Sequence, residues 1–424
     1  MNLIHELTWR GMVQDIMPGT AEILEKEKIT GYIGFDPTAD SLHIGSLVPI
    51  MLLVHLYNAG HKPVVLVGGA TGMVGDPSGK SDERNLLDEA TLQNNLKGIA
   101  AQLSKYISFD ANNAQAAVLV NNYDWFKEFN FLSFIRDVGK HITVNYMMSK
   151  DSVRKRLEGD NGMSFTEFSY QLVQGYDFYY LHKHYNCTLQ MGGSDQWGNI
   201  LTGAELIRKK SGGTAYAFTC PLITKADGGK FGKSEKGNIW LAADRTSPYE
   251  FYQFWIRCAT EDAEKWIKIF TLMPQHEIVA LIALNALKPE DKLLQKKLAA
   301  EVTSFVHGAA ALEQAIATTA KLYNDAQRPI TELSATELEQ LAGIVHIQVP
   351  LTQLLAVDII TLLSELNIFP SKSEAKKMLL NGGISSNAVK ISSLTHSLTH
   401  QDLLHGKYII IQKGKKHHYL LIVQ

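Results

Sequence analysis

Gly31-Tyr32-Ile33-Gly34-Phe35-Asp36-Pro37-Thr38-Ala39-Asp40-Ser41-Leu42-His43-Ile44-Gly45-Ser46 decides how the first half of the chain is read. Residues 31–35 are a short apolar run, the mark of a buried strand. Pro37 and the polar residues after it end that run, and the apolar pattern of 43–57 is helical. Residues 63–67 and 116–120 repeat the strand signal, and 92–103 repeats the helical one. Such alternation predicts an α/β fold with a parallel sheet covered on both faces. Ligands of such sheets bind in the loops that leave the carboxyl ends of the strands, so 36–46 is the first place to look for a site. The free N–H groups at a helix start carry partial positive charge and suit a phosphate. Gly45 would let a flat base or sugar approach the backbone. His43 is placed either to donate to a phosphate oxygen or simply to cap the corner.

Further along, 125–184 is helical with a break near 158–162, and 187–191 is strand-like. Gly192, Gly193 and Ser194 introduce a helix over 195–210. Residues 216–223 and 238–242 are strand-like and flank a loop rich in glycine and lysine. The pattern from 247 to 323 is helical, with breaks at Pro274 and Pro289, and 327–350 has the composition of a connector. The end of the chain is a compact helix-then-strand unit with strands at 408–412 and 419–423. These boundaries divide the chain at 1–225, with an insertion at about 124–185, then 226–326, a linker at 327–355, and 356–424.

Composition narrows the class. The chain has 424 residues, 45% of them apolar and 20% charged, ordinary values for a globular protein of several domains. No stretch reaches the roughly 18 apolar residues a membrane helix needs, and the first residues lack the apolar core of a signal peptide. Cys187, Cys220 and Cys258 are odd in number and far apart, which favours a reducing, cytoplasmic setting over a disulfide framework or a zinc site. Net charge is −2, but residues 351–424 hold eight lysines against four acids. A basic tail on an acidic body suits an RNA-binding appendage.

The second chemical motif is Lys230-Phe231-Gly232-Lys233-Ser234. With Gly228, Gly229, Lys236 and Gly237 it forms a cationic loop able to close over phosphates and stabilise departing pyrophosphate, or else an exposed hairpin of solvated lysines. The run 72–81 is not a P-loop, because Val74 stands where the first glycine of that motif belongs.

A His-Ile-Gly helix start after the first strand, joined to a later Lys-x-x-Lys-Ser loop, resembles the paired signatures of class I aminoacyl-tRNA synthetases. Four blocks resemble the tyrosyl branch of that class: 31–38, 68–79, Phe168-Ser169-Tyr170-Gln171-Leu172-Val173-Gln174-Gly175-Tyr176-Asp177, and Gln190-Met191-Gly192-Gly193-Ser194-Asp195-Gln196-Trp197-Gly198-Asn199. Tyr170, Gln174 and Asp177 are spaced to share one helix face. The resemblance implies a Rossmann-like catalytic domain split by a dimer-forming insertion, a helical domain on the anticodon side, and a homodimer. It implies L-tyrosine, ATP with accompanying Mg²⁺, and tRNA(Tyr) as substrates, with no metal held by the protein itself.

By motif position, the resemblance gives Tyr32 and Asp177 the substrate phenol, and Asp76, Tyr170 and Gln174 its ammonium group. Gln196 would lie near its carboxyl. Gly192 and Asp195 would take the ribose, and the Asp36 backbone the α-phosphate, with Gly45, Ser46 and Ser234 also at the nucleotide. Thr38 and His43 would stabilise the γ-phosphate, and Lys80, Arg84, Lys230 and Lys233 the leaving pyrophosphate. Ser46 replaces the second histidine of the first signature, Phe231-Gly232 replaces Met-Ser in the second, and Ile33 stands where cysteine is frequent. Altered nucleotide affinity is the expected consequence.

The tail, 369–385 followed by Asn387 and Val389-Lys390, resembles the RNA-binding module named after small-subunit ribosomal protein four, with Lys372, Lys376 and Lys377 facing phosphates. Lys150, Arg154, Lys155 and Arg156, and Arg208-Lys209-Lys210, are candidates for the acceptor stem. Two rival functions are a tryptophanyl synthetase, disfavoured by Tyr32 with Asp177, and a non-catalytic RNA-binding descendant, disfavoured by His43, Lys230 and Lys233.

Overall fold

The computed structural model describes residues 2–76, 88–110, 112–113, 115–158, 162–234, 237–323, 329–414 and 417–424, apart from the side chains of Ser152, Lys155, Lys233 and Ser234. It divides into two compact units, Met1–Arg245 with Arg257–Leu298, and Thr246–Ile256 with Ala299–Gln424.

The first unit is built on five parallel strands: β1 (Thr30–Phe35), β2 (Lys62–Val67), β3 (Val118–Asn121), β4 (Cys187–Gly193) and β5 (Tyr216–Cys220), in the order β3-β2-β1-β4-β5. The chain runs outward from β1 to β3, then returns to the other side of β1 with β4. The carboxyl ends of β1 and β4 therefore flank the switch point where such sheets bind ligands. The helix Leu47–Asn58 is apolar on every side and buries nine of its residues, so it packs as a core element. Phe165–Tyr185 crosses behind the sheet and buries Tyr170, Leu172, Asp177, Phe178 and Leu181.

Two expectations need correction here. Among the described residues, the segment 125–184 carries five α-helices, Tyr123–Phe126, Phe131–Asp137, Val144–Met148, Asp151–Leu157 and Phe165–Tyr185, with a 3-10 turn at Gly139–His141. Three of the breaks are capped: Asn130, Thr143 and Ser164 each accept a backbone N–H from the first turn that follows, and Ser164 forms a full capping box with Glu167, while Asp151–Leu157 starts without a side-chain cap. The stretch 238–242 is not a strand of any length. Among the described residues, β6 (Lys233–Ser234) pairs antiparallel with β7 (Gly237–Asn238), and Trp240 makes a single antiparallel bridge with His43.

The second unit carries the sheet β10-β9-β11-β12-β8, made of β8 (Val345–Val349), β9 (Ile384–Ser386), β10 (Val389–Lys390), β11 (Tyr408–Lys413) and β12 (His417–Val423). Strand β8 lies within the stretch expected as a connector, yet it pairs in parallel with β12. Leu362, Leu363, Ile384, Ile409, Ile411 and Leu421 form the core of this unit. On the helix Lys372–Leu380, Ala375 and Leu379 face inward, leaving Lys372, Lys376 and Lys377 exposed.

Candidate active site

A cavity of about 620 Å³ opens at the carboxyl ends of β1 and β4. Tyr32, Asp36, Thr38, His43, Gly45, Ser46, Asp76, Tyr170, Gln174, Asp177, Gly192, Asp195, Gln196 and Lys230 all line it, so the structure brings together most of the residues expected at the site. Lys80 and Arg84 lie outside the described residues, as do the side chains of Lys233 and Ser234.

At the closed end stand Tyr32 and Asp177, each 1% exposed. The Tyr32 ring packs against Phe178 at 5.4 Å, and its hydroxyl has no partner among the described residues. Burial first, then the Asp177 charge, push its phenol well above the ordinary value. The Asp177 carboxylate accepts from Trp125 Nε1 at 2.9 Å and Asn122 Nδ2 at 3.0 Å. Burial raises its pKa well above the carboxylate range, and the two donors oppose that rise. A buried hydroxyl left unpaired costs about 1–3 kcal/mol, so this end suits a ligand with a polar atom to share.

Carboxylates dominate the next shell of the cavity. Asp36 accepts from Thr71 Oγ1 at 2.7 Å and from the Tyr170 hydroxyl at 2.8 Å. Asp76 accepts from Gln196 Nε2 at 2.7 Å, while Gln174 Oε1 accepts from Asn199 Nδ2 at 2.9 Å. Burial, then the charge of Asp76, push the Asp195 carboxyl up. Four acids around one cavity create a field that favours a cation such as an ammonium group.

The nucleotide corner is formed by two motifs far apart in sequence. The corner after β1 is a tight turn, Ile44–Ser46, capped by His43. His43 Nδ1 accepts from the Gly45 N–H at 3.0 Å, so the neutral ring carries its proton on Nε2. A Cβ on Gly45 would sit 2.7 Å from His43 Cε1, which is a second reason for glycine there. Backbone bonds from Ile44 N to Ile239 O and from Leu241 N to Leu42 O stitch this corner to the segment after the signature loop. Within that loop Phe231 stacks on Phe270 at 5.3 Å and meets Trp266 edge-on at 5.0 Å. Gly232 has φ +81°, and a Cβ there would lie 2.5 Å from Ile44 Cγ2. Phe231-Gly232 thus anchors the loop beside the His43 corner.

A family model described as "tRNA synthetases class I (W and Y)" matches residues 24–324, and one described as "Tyrosine--tRNA ligase SYY-like C-terminal domain" matches 339–421. The chain is 55% identical over 432 residues to the tyrosine–tRNA ligase of Parabacteroides distasonis, covering 100% of both chains. It belongs to the class I tyrosine–tRNA ligase family. The relative from Flavobacterium psychrophilum is also 55% identical, again over 100% of both chains. Among solved structures, a C-terminally truncated mitochondrial tyrosyl-tRNA synthetase from Aspergillus nidulans superposes with a TM-score of 0.68 at 30% identity, covering 76% of this chain and 94% of that one. A tryptophanyl-tRNA synthetase from Encephalitozoon cuniculi shares the fold at a TM-score of 0.52 and 14% identity, over 73% of this chain and 86% of that one.

Within this tyrosine–tRNA ligase fold, several residues at the site were not singled out from sequence. Asn122 and Trp125 supply the donors to Asp177, and Gln190 lines the cavity with its side-chain Oε1 buried and without a partner among the described residues. Asn122 directly follows β3, so the rule that places ligands beyond strand ends was the available signal. One basic cluster must be revised. Arg156 pairs with Glu167 at 2.7 Å, their side chains 10% and 4% exposed, so its guanidinium is engaged within the fold and is not a freely solvated charge. Lys150 lies over the Tyr146 ring at 3.7 Å, and burial lowers its pKa to about 8.

Proposed function

We propose that this cavity carries out tyrosine activation, with Tyr32 and Asp177 gripping the phenol and Asp76, Tyr170 and Gln174 holding the ammonium group. The observation that carries this reading is the buried Tyr32 hydroxyl beside the Asp177 carboxylate, an acceptor-and-donor pair at the closed end of an acidic cavity. A tryptophan indole has no hydroxyl for that pair. The tyrosine carboxylate attacks the α-phosphorus of ATP, and the bond to the β-phosphate oxygen breaks to release pyrophosphate. The terminal ribose hydroxyl of tRNA(Tyr) then attacks the acyl carbon and AMP leaves. No side chain forms a covalent intermediate.

Gln196 lies near the substrate carboxyl, the Asp36 N–H meets the α-phosphate, and Gly45, Ser46, Gly192, Asp195 and Ser234 hold the nucleoside. Thr38, His43, Lys80, Arg84, Lys230 and Lys233 stabilise the charge that moves onto pyrophosphate. Mg²⁺ enters with ATP as part of the substrate. Exposed Lys372, Lys376 and Lys377 take tRNA phosphates. The compartment is the cytoplasm, where Cys187, Cys220 and Cys258 stay free thiols. Among the described residues no helix is long and apolar enough to cross a membrane.

The test is exchange of labelled pyrophosphate into ATP, with each amino acid supplied separately. Tyrosine alone is expected to support it. Exchange driven by tryptophan instead, or by nothing, would overturn the reading.

The insertion carries Phe131, Leu132, Ile135, Val144, Met148 and Phe165 exposed. An apolar surface of this kind calls for a partner, and a second copy of the chain is the one proposed. Native protein is expected to sediment with twice the chain mass, and Phe165→Asp with the mass of one chain. Native protein sedimenting as a single chain would remove the dimer from the proposal.

A further inference from the structure

The two ends of the tyrosine subsite are joined inside the protein. Asn122 Nδ2 donates to Asp177 Oδ2 at 3.0 Å and also to Thr71 Oγ1 at 3.1 Å. Thr71 Oγ1 donates to Asp36 Oδ1 at 2.7 Å, and the other Asp36 oxygen accepts from the Tyr170 hydroxyl at 2.8 Å. The route therefore runs Asp177–Asn122–Thr71–Asp36–Tyr170, from the phenol end to the ammonium end.

The direction of every bond along it is fixed. The Ala70 N–H donates to Asn122 Oδ1 at 2.7 Å, which orients the amide and turns Nδ2 toward Asp177 and Thr71. That nitrogen has two hydrogens, and both are used. Thr71 has one proton. Because its oxygen accepts from Asn122, the proton goes to Asp36. Asn122, Thr71, Asp177 and Tyr170 are all buried, so water does not compete for the Asp177–Asn122–Thr71 bonds, while the half-buried Asp36 faces the cavity.

The chain also leaves room for the relay. A Cβ on Gly68 would lie 2.2 Å from both Asp36 Oδ1 and Thr71 Oγ1, on top of the bond between them. A Cβ on Gly69 would lie 2.3 Å from Asn121 Oδ1, the residue that leads into Asn122. Gly68 is thus accounted for by the space the Thr71–Asp36 bond occupies, and Gly69 by its close approach to Asn121.

We infer that Thr71 is a positioning residue that couples recognition of the phenol to recognition of the ammonium group. Its hydroxyl holds the Asp36 carboxylate where Tyr170 needs it and holds the second hydrogen of Asn122 while the first serves Asp177. Loss of the hydroxyl frees both neighbours at once, and occupation of one end no longer stiffens the other. The inference rests on the proposed assignment of Tyr32 with Asp177, and of Tyr170, to the two ends of tyrosine.

The test uses full-length enzyme in the exchange assay. Thr71→Val keeps the branched shape and removes both bonds. It is expected to raise the KM for tyrosine by about tenfold or more, and to leave the KM for ATP within about twofold. Thr71→Ser should recover most of the loss. The decisive readout is the cycle of Tyr32→Phe with Tyr170→Phe, which change opposite ends. Their effects should deviate from additivity by ~3-fold or more with Thr71 present and become additive with Thr71→Val. If Thr71→Val fails to fold, Thr71→Ala replaces it in the same cycle. Coupling that persists without the hydroxyl, or a tyrosine KM untouched by its loss, overturns the relay and leaves the site assignment standing. If Tyr32→Phe and Tyr170→Phe each leave the tyrosine KM unchanged, the site assignment itself fails and the relay falls with it.

Discussion

Asp177→Ala is expected to cut kcat/KM for tyrosine by a factor on the order of 10²–10³ while the KM for ATP stays within about twofold. Asp177 is 1% exposed and its carboxylate is held by Trp125 Nε1 and Asn122 Nδ2. Its removal takes away the acceptor for the phenol and deprives Trp125 Nε1 and one hydrogen of Asn122 Nδ2 of their partner, each effect worth roughly 1–3 kcal/mol. The nucleotide corner at His43 and Gly45 shares none of those bonds. Preference for tyrosine over phenylalanine should shrink with the same substitution, because phenylalanine never used the lost acceptor. Steady-state exchange kinetics with both amino acids measure this, with a thermal melt to verify folding. Unchanged tyrosine kinetics in a folded variant would remove Asp177 from the pocket.

The parts of this site that were legible in the sequence are those whose logic is local. Residues 31–35 are apolar because β1 is buried on both sides, and the loop after them lies at the switch point because a parallel sheet puts it there. Tyr170, Gln174 and Asp177 share a helix face by spacing alone, and all three line the cavity. What escaped the sequence depends on contacts between distant segments. Nothing near Asp36 indicates that its side chain would accept from Thr71 and Tyr170. Arg156 sits in a basic run that resembles a solvated face until Glu167 folds back onto it. Phe231 looks like a spacer between lysines, yet Trp266 and Phe270 form its seat. The caps at Asn130, Thr143 and Ser164 were different. They are local signals that would have divided 125–184 beyond the single break read near 158–162, and the apolar pattern masked them.

His43 poses the question that sequence left open, whether it acts on phosphate or only caps a turn. The structure shows that it caps the Ile44–Ser46 turn through Nδ1, which assigns the proton of the neutral ring to Nε2. The two roles therefore use different nitrogens and can be separated. His43→Ala is expected to lower kcat for adenylate formation by about 10²–10³, the usual effect of removing one donor to a developing charge, with the tyrosine KM within about twofold. Asparagine can restore the cap, because its Oδ1 can reach the Gly45 N–H, but it ends short of the Nε2 position. His43→Asn should therefore recover stability relative to His43→Ala, by about 1 kcal/mol, and recover little of the rate. Single-turnover formation of tyrosyl-adenylate from pre-bound tyrosine isolates that step from release. If asparagine restores the rate as well as the cap, the imidazole is structural. The charge leaving with pyrophosphate would then fall to Thr38 and to the lysines of the loop that Phe231 anchors beside it.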